Sequence, residues 1–309
     1  MRMLTLSTLT ILPAALIAQA PVNVSQQLRS EQPAIDRLVK ELKAKDALVK
    51  AEALIAIEKP AYNKTDLNTV AQSQNAWRDL VIAHLLAAKT AFAAGEWEKG
   101  NEILQKGLAI AKDNQAAFTA GAQPTLDMWK TPEADAKAFL ADKTARIQAL
   151  NANAAKTPAE AEELKQLESA KAVHENNLKL SEKIHGFVDG TVKLCEDDIK
   201  TVNSAIEKSQ NRIKTQADEI QTFNTKIKED KKKKVQIKGN SNWVDAVMND
   251  QENLTKLANP ETQVGFLNRL LVLDPGNAKA QKALDNILAG KAPFEAEKKP
   301  AKGKAKKSR

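Results

Sequence analysis

Apolar residues return every seven positions through the second half of the chain. Val192, Ile199, Ile206, Ile213, Ile220 and Ile227 form one ladder, all of them β-branched. A seven-residue period keeps such side chains on one helix face with slow left-handed drift, so a partner helix must run along them. Three positions on, Cys195, Val202, Ser209, Gln216 and Phe223 make a second, half-polar seam. This pattern predicts a coiled-coil arm over residues 131–238. Its long helix starts at Thr157-Pro158-Ala159-Glu160, where the threonine caps, proline fits the first turn and Glu160 completes a capping box. Gly186 and Gly190 interrupt the pattern and predict a bend or a reversal. The ladder is then covered either by a second chain or by residues 159–185 folded back on the second arm. The hairpin is preferred, because glycines at that spacing ease a turn.

Periodicity at threes and fours predicts helices on both sides of the arm. One covers residues 33–58 with Ile35, Leu38, Val39, Leu42, Leu48, Val49 and Ile55, and Lys59-Pro60 ends it. A second follows Thr65-Asp66 and carries Leu67, Val70, Trp77, Leu80, Val81, Leu85 and Phe92 as far as Gly95. A third runs from Glu96 to near Asp113, and Thr131-Pro132 reads as a further helix start. After Lys231–Lys234 and the stop at Gly239-Asn240 come shorter helices over residues 243–257, 260–273 and 277–288. No run of alternating β-branched residues bounded by turn signals predicts a strand. The fold class is all-α, and the abundance of helix formers with only 11 Gly and 11 Pro agrees.

Two segments carry a resemblance. Gly95-Glu96-Trp97-Glu98-Lys99-Gly100-Asn101-Glu102-Ile103-Leu104, continuing through Lys106-Gly107-Leu108-Ala109-Ile110-Ala111, is similar to the second half of a tetratricopeptide repeat. Phe266-Leu267-Asn268-Arg269-Leu270-Leu271-Val272-Leu273-Asp274-Pro275-Gly276-Asn277 resembles the end of another. The units are degenerate: Gly100 and Gly107 stand where that family prefers alanine, and about a quarter of the chain is covered. The resemblance implies stacked helix hairpins that present a groove to a protein partner, with Trp97, Leu104 and Leu270 as the partner-binding residues. The organisation it implies is a tetratricopeptide-like region over 21–130, the arm over 131–238, and further such helices over 239–289.

The termini change the picture. Arg2, an apolar stretch from Leu4 to Ile17 and Ala18-Gln19-Ala20 have the three-part layout of an export signal over residues 1–20, so a periplasmic or secreted location is expected. The net charge of +8 is mostly a tail property. From Gly290 on there are eight Lys and Arg against two Glu, a net of +6. That stretch, 290–309, lacks a core-forming pattern and is expected to be disordered. Lys298, Lys299, Lys302, Lys304, Lys306 and Lys307 are candidate polyanion contacts. With no aromatic ring among them to stack on bases, the attraction is electrostatic, and an anionic envelope surface suits an exported chain better than nucleic acid.

Candidate chemistry is thin. His174 and His185 are eleven residues apart, about 16 Å along a helix, and His84 sits alone in an apolar one. Three or four converging ligands are needed for a metal, so none is expected. Phosphate-binding loops, hydrolase elbows and zinc-protease motifs are missing. The carboxylate pairs Glu162-Glu163 and Asp197-Asp198 read as solvated helix faces. Cys195, the single cysteine, is either a small core residue or a residue facing its copy in a parallel dimer. The expected function is a non-enzymatic, cofactor-free, exported scaffold that binds a partner protein and can self-associate through its coiled coil. The rival is a cytosolic nucleic-acid-associated protein that uses its basic tail.

Overall fold

The computed structural model describes residues 24–63, 66–229, 240–250, 257 and 259–294, leaving aside the side chains of 224 and 227–229. Residues 1–20, read as an export signal, Lys231–Lys234, the Ile227 side chain and the tail lysines Lys298 to Lys307 lie outside these residues. Within them the protein is all-α, with eight helices and no strand. They are α1 (Val24–Lys40), α2 (Ala44–Ile55), α3 (Leu67–Ala93), α4 (Trp97–Ala152), α5 (Pro158–Glu229), α6 (Ser241–Asn249), α7 (Pro260–Leu273) and α8 (Ala278–Leu288).

The single helix expected over 33–58 is two. Leu42 adopts a left-handed φ of 64°, and the Lys43 N–H donates to the Leu38 carbonyl at 2.8 Å to close the turn. No glycine or proline announces this break. What holds Leu42 there is its side chain, which packs on the C-terminal cluster around Leu267 and Leu284. α3 starts after Asp66 as the sequence predicts, and Asp66 caps it, accepting from the Asn68 and Thr69 N–H groups, with Thr69 completing the box. Gly95 then turns the chain at a φ of 83°.

Two larger differences concern the arm. First, α4 does not end near Asp113 but continues to Ala152, straight through Pro124 and Thr131-Pro132. A proline inside a helix costs about 3 kcal/mol or more. Here burial of Phe118, Ala122, Ala136, Ile147 and Leu150 on both sides of the prolines offsets that cost. Second, Gly186 and Gly190 do not break the long helix. α5 is continuous for 72 residues, about 108 Å at 1.5 Å per residue. The reversal lies earlier, at residues 153–157, where Thr157 and Glu160 form the predicted capping box. The ladder is therefore covered by α4 running antiparallel along α5, not by residues 159–185 folded back.

The second seam turns out to be the deeper one. Ser181, Val188, Cys195, Val202, Ser209 and Gln216 are all buried at strict seven-residue spacing. On the ladder, Ile206 is buried, while Val192, Ile199, Ile213 and Ile220 are half-buried at its edge. Around Val202 and Ile206 gathers the main core, built from α1, α2, α3 and the first turns of α4. Val70, Phe118, Ala122 and Val188 form a smaller core beside it. α6, α7 and α8 make a third, which seats against Ile220 and Phe223 at the far end of α5.

Candidate partner-binding surfaces

Arg269 fastens the C-terminal helices to α5 and to the α3–α4 turn. It stands in an apolar helix among Leu267, Leu270 and Leu271, and its side chain is 3% exposed. A buried guanidinium must have every donor engaged. Its Nε donates to Gln216 Oε1 at 2.8 Å, and Nη1 donates to the Gly95 carbonyl at 3.3 Å. Both terminal nitrogens also donate to the Glu98 carboxylate, at 2.6 and 2.5 Å. The hydrogen bond from Arg269 holds the Glu98 carboxyl below its ordinary range, against burial that pushes it the other way. Asn268 adds a hydrogen bond from Nδ2 to the Ala93 carbonyl at 3.2 Å. Gly95 makes this docking possible, since a Cβ there would lie 2.5 Å from the Asn268–Arg269 backbone.

Trp97 lies in the same junction. Arg212 and Arg269 stack over its ring, with guanidinium carbons 4.0 and 4.8 Å from the ring centre. Burial and the neighbouring Arg269 lower the Arg212 pKa, which fits a guanidinium held on an aromatic face rather than in water. The Trp97 Nε1 is buried without a hydrogen-bond partner.

Two open grooves flank this end of α5. The larger, about 1060 Å³, is lined by Trp97, Arg212, Phe223, Trp243, Val247 and Phe266, with Asp218, Glu219 and Lys226 at its edge. The smaller, about 520 Å³, is lined by Glu98, Ile213, Gln216, Ile220, Arg269 and Leu273. Of the three residues read as partner-binding, only Trp97 reaches a groove. Leu104 and Leu270 are buried in two different cores, so their side chains support the surface from within instead of meeting a partner. Periodicity alone could not separate the two roles. The heptad pattern marks Gln216 only as a seam residue and does not mark Arg212 or Arg269, although a charge between leucines in α7 is a signal available to find Arg269.

The histidines never meet. His84 is buried in α3 with Nδ1 2.8 Å from the Leu80 carbonyl, and burial pulls its pKa down. His174 stacks on Phe139 with ring centres 4.4 Å apart, and its buried Nδ1 lacks a partner. His185 Nε2 is 3.3 Å from Glu133. Among the described residues no group of three His, Cys, Asp or Glu side chains could hold a metal ion.

Cys195 is 1% exposed in the seam, where Gln74 Nε2 approaches its sulfur at 3.7 Å, and burial raises its pKa. It takes the core role and cannot face a copy of itself. Asp198 is no solvated carboxylate either. Arg78 of α3 grips both its oxygens, at 2.8 and 3.2 Å, tying α3 to α5. Glu163 does the same for the hairpin by binding Arg146 at 3.0 and 2.6 Å. Comparison with protein-family models, curated proteins and solved structures finds no match to this chain.

Proposed function

We propose that the protein is a non-enzymatic, exported helical scaffold that binds a segment of a partner protein in the grooves beside the C-terminal end of α5. The observation that carries this reading is the larger groove. Trp243, Phe223 and Phe266 offer apolar rings, and Arg212, Lys226, Asp218 and Glu219 offer both signs of charge at its edge. Ring edges lining a groove, here those of half-buried Phe223 and Phe266 and buried Trp243, beside charges of both signs are what anchor and orient a peptide segment, with aromatic residues and arginine giving most of the affinity. The α3–α4 turn at Gly95 and the α7–α8 turn at Asp274-Pro275-Gly276-Asn277 support the tetratricopeptide-like reading, and Arg269 of α7 donates to the Gly95 carbonyl of the first turn. The α4–α5 arm gives reach.

Photo-crosslinkers at Thr215 and Thr222, applied to the native envelope fraction, are expected to capture the partner, while one at Gln166 near the N-terminal end of α5 is not. Crosslinks confined to Gln166 would move the working surface to the arm. Export rests on the N-terminal pattern around Arg2 and Ala18-Gln19-Ala20. Sequencing of the mature protein should begin within a few residues of Pro21, and a retained Met1 on a cytosolic protein would refute export.

A further inference from the structure

α5 has a second apolar stripe that the described residues leave largely uncovered, the one ring contact being Phe187 edge-on to Phe118 with ring centres 6.5 Å apart. Val173, Leu180, Phe187 and Leu194 recur every seven residues and are 56%, 39%, 41% and 42% exposed. Each sits beside the buried seam, about 100° further round the helix. Along one edge of the stripe stand Gly186 and Gly190, one helical turn apart, where an added Cβ would meet nothing within 4 Å. Two glycines inside a helix forgo about 1 kcal/mol each relative to alanine. Neither packs against another described residue, so their effect is a notch in an otherwise apolar face.

We propose that this face is where two copies of the chain pair, antiparallel, about a two-fold axis through Gly190. Three observations select a second copy. The seven-residue period fits another helix rather than a flat or irregular surface. The glycine notch admits a crossing helix backbone closely, and a two-fold axis there brings Gly190 against Gly190 and sets Leu194 level with Gly186 of the other copy. The charges are also self-complementary. Lys183 and Asp197 are both exposed and lie seven residues on either side of Gly190, so each lysine falls level with the other copy's aspartate. An interface shared by two identical patches demands such complementarity. The Lys200 ammonium now 3.5 Å from Asp197 is a surface contact that costs little to exchange. With the axis at Gly190, Phe187 and Leu194 of each copy lie nearest it while Leu180 and Val173 fall level with Lys200 and Glu207, so the interface is small and the dimer is weak and depends on concentration.

Analytical ultracentrifugation of the full chain should show a reversible monomer–dimer equilibrium. Phe187→Glu with Leu194→Glu should abolish it without loss of helicity, because both side chains are largely exposed and Phe187 meets the cores only through an edge contact with the Phe118 ring. Lys183→Asp should weaken the dimer, and adding Asp197→Lys should restore it. Gly190→Cys should form a disulfide-linked dimer under mild oxidation, whereas Asn176→Cys should not, since antiparallel pairing holds two copies of residue 176 about 42 Å apart. A chain that stays monomeric at every concentration overturns the proposal. So does a dimer insensitive to Phe187→Glu with Leu194→Glu, or one in which Asn176→Cys crosslinks as readily as Gly190→Cys.

Discussion

Leu42 and His84 show how single residues are held in states they would not choose alone. A left-handed leucine brings its Cβ against the following carbonyl, at a cost of about 1–2 kcal/mol, and Leu42 accepts this because its side chain is seated on the C-terminal cluster. Replacement by alanine removes the packing and keeps the strain, whereas glycine removes both. Leu42→Gly should therefore be more stable than Leu42→Ala by about 1 kcal/mol in urea unfolding, and equal stabilities would mean that residue 42 carries no strain. His84 is held neutral by burial, which lowers its folded pKa below the unfolded value of 6.5. The unfolded chain thus takes up the proton first as pH falls, and the stability tied to neutral His84 is complete above pH 6.5 and lost progressively below it. Unfolding free energy measured from pH 7.5 to 5 should fall with a steeper slope in the native protein than in His84→Gln. Identical slopes would show that the ring titrates freely when folded.

Helix existence and the heptad register were legible at the level of elements, while helix ends were legible only where a cap or glycine made the same point as the packing. Asp66, Gly95, Thr157-Pro158 and Asn277 are such places. Thr131-Pro132 and Gly186–Gly190 carry local signals that the pairing of α4 with α5 overrides, and the Leu42 break carries no local signal. Local residue types cannot reveal which of two seams faces inward, because that depends on the partner. The polar seam residues are tolerated since each meets a matching group: Ser181 donates to Glu133, Ser209 to Asn101, and Gln216 accepts from Arg269. These pairs tie α5 to a single register against its neighbours. Glycines on the two long helices then differ in sign. At Gly107 a Cβ would lie 2.9 Å from the Cβ of His84, so Gly107→Ala should destabilise by about 1–3 kcal/mol through overpacking. At Gly186 a Cβ meets open space, so Gly186→Ala should stabilise by about 0.5–1 kcal/mol at dilutions where the chain is monomeric. Thermal melts of the two variants separate these outcomes, and a destabilised Gly186→Ala would mean that the glycine relieves strain within the chain.

Across the whole molecule, support for the arm is uneven along its length. Near its base α4 and α5 are braced by α1, α2 and α3, and further along α5 by the C-terminal helices. Beyond Phe118 and Val188 the two helices have, among the described residues, only each other, with Ala136, Ile147, Leu150 and Ser181 as buried contacts and surface ion pairs such as Arg146–Glu163 between them. Exposed pairs contribute little, and an isolated helix pair with a thin seam opens at a smaller free energy than a braced one. Amide hydrogen exchange should therefore rise toward the 153–157 reversal, with residues 135–175 exchanging faster than residues 80–111 and 195–213. Leu150→Ala should accelerate exchange only at that distal end and leave the main melting transition in place. Val202→Ala, in the centre of the main core, should lower the transition itself. Uniform protection along α5, or a global loss of stability from Leu150→Ala, would show that the arm folds as one unit with its base. The gradient would instead leave a stiff base that carries the grooves and a pliant tip that can sweep about it.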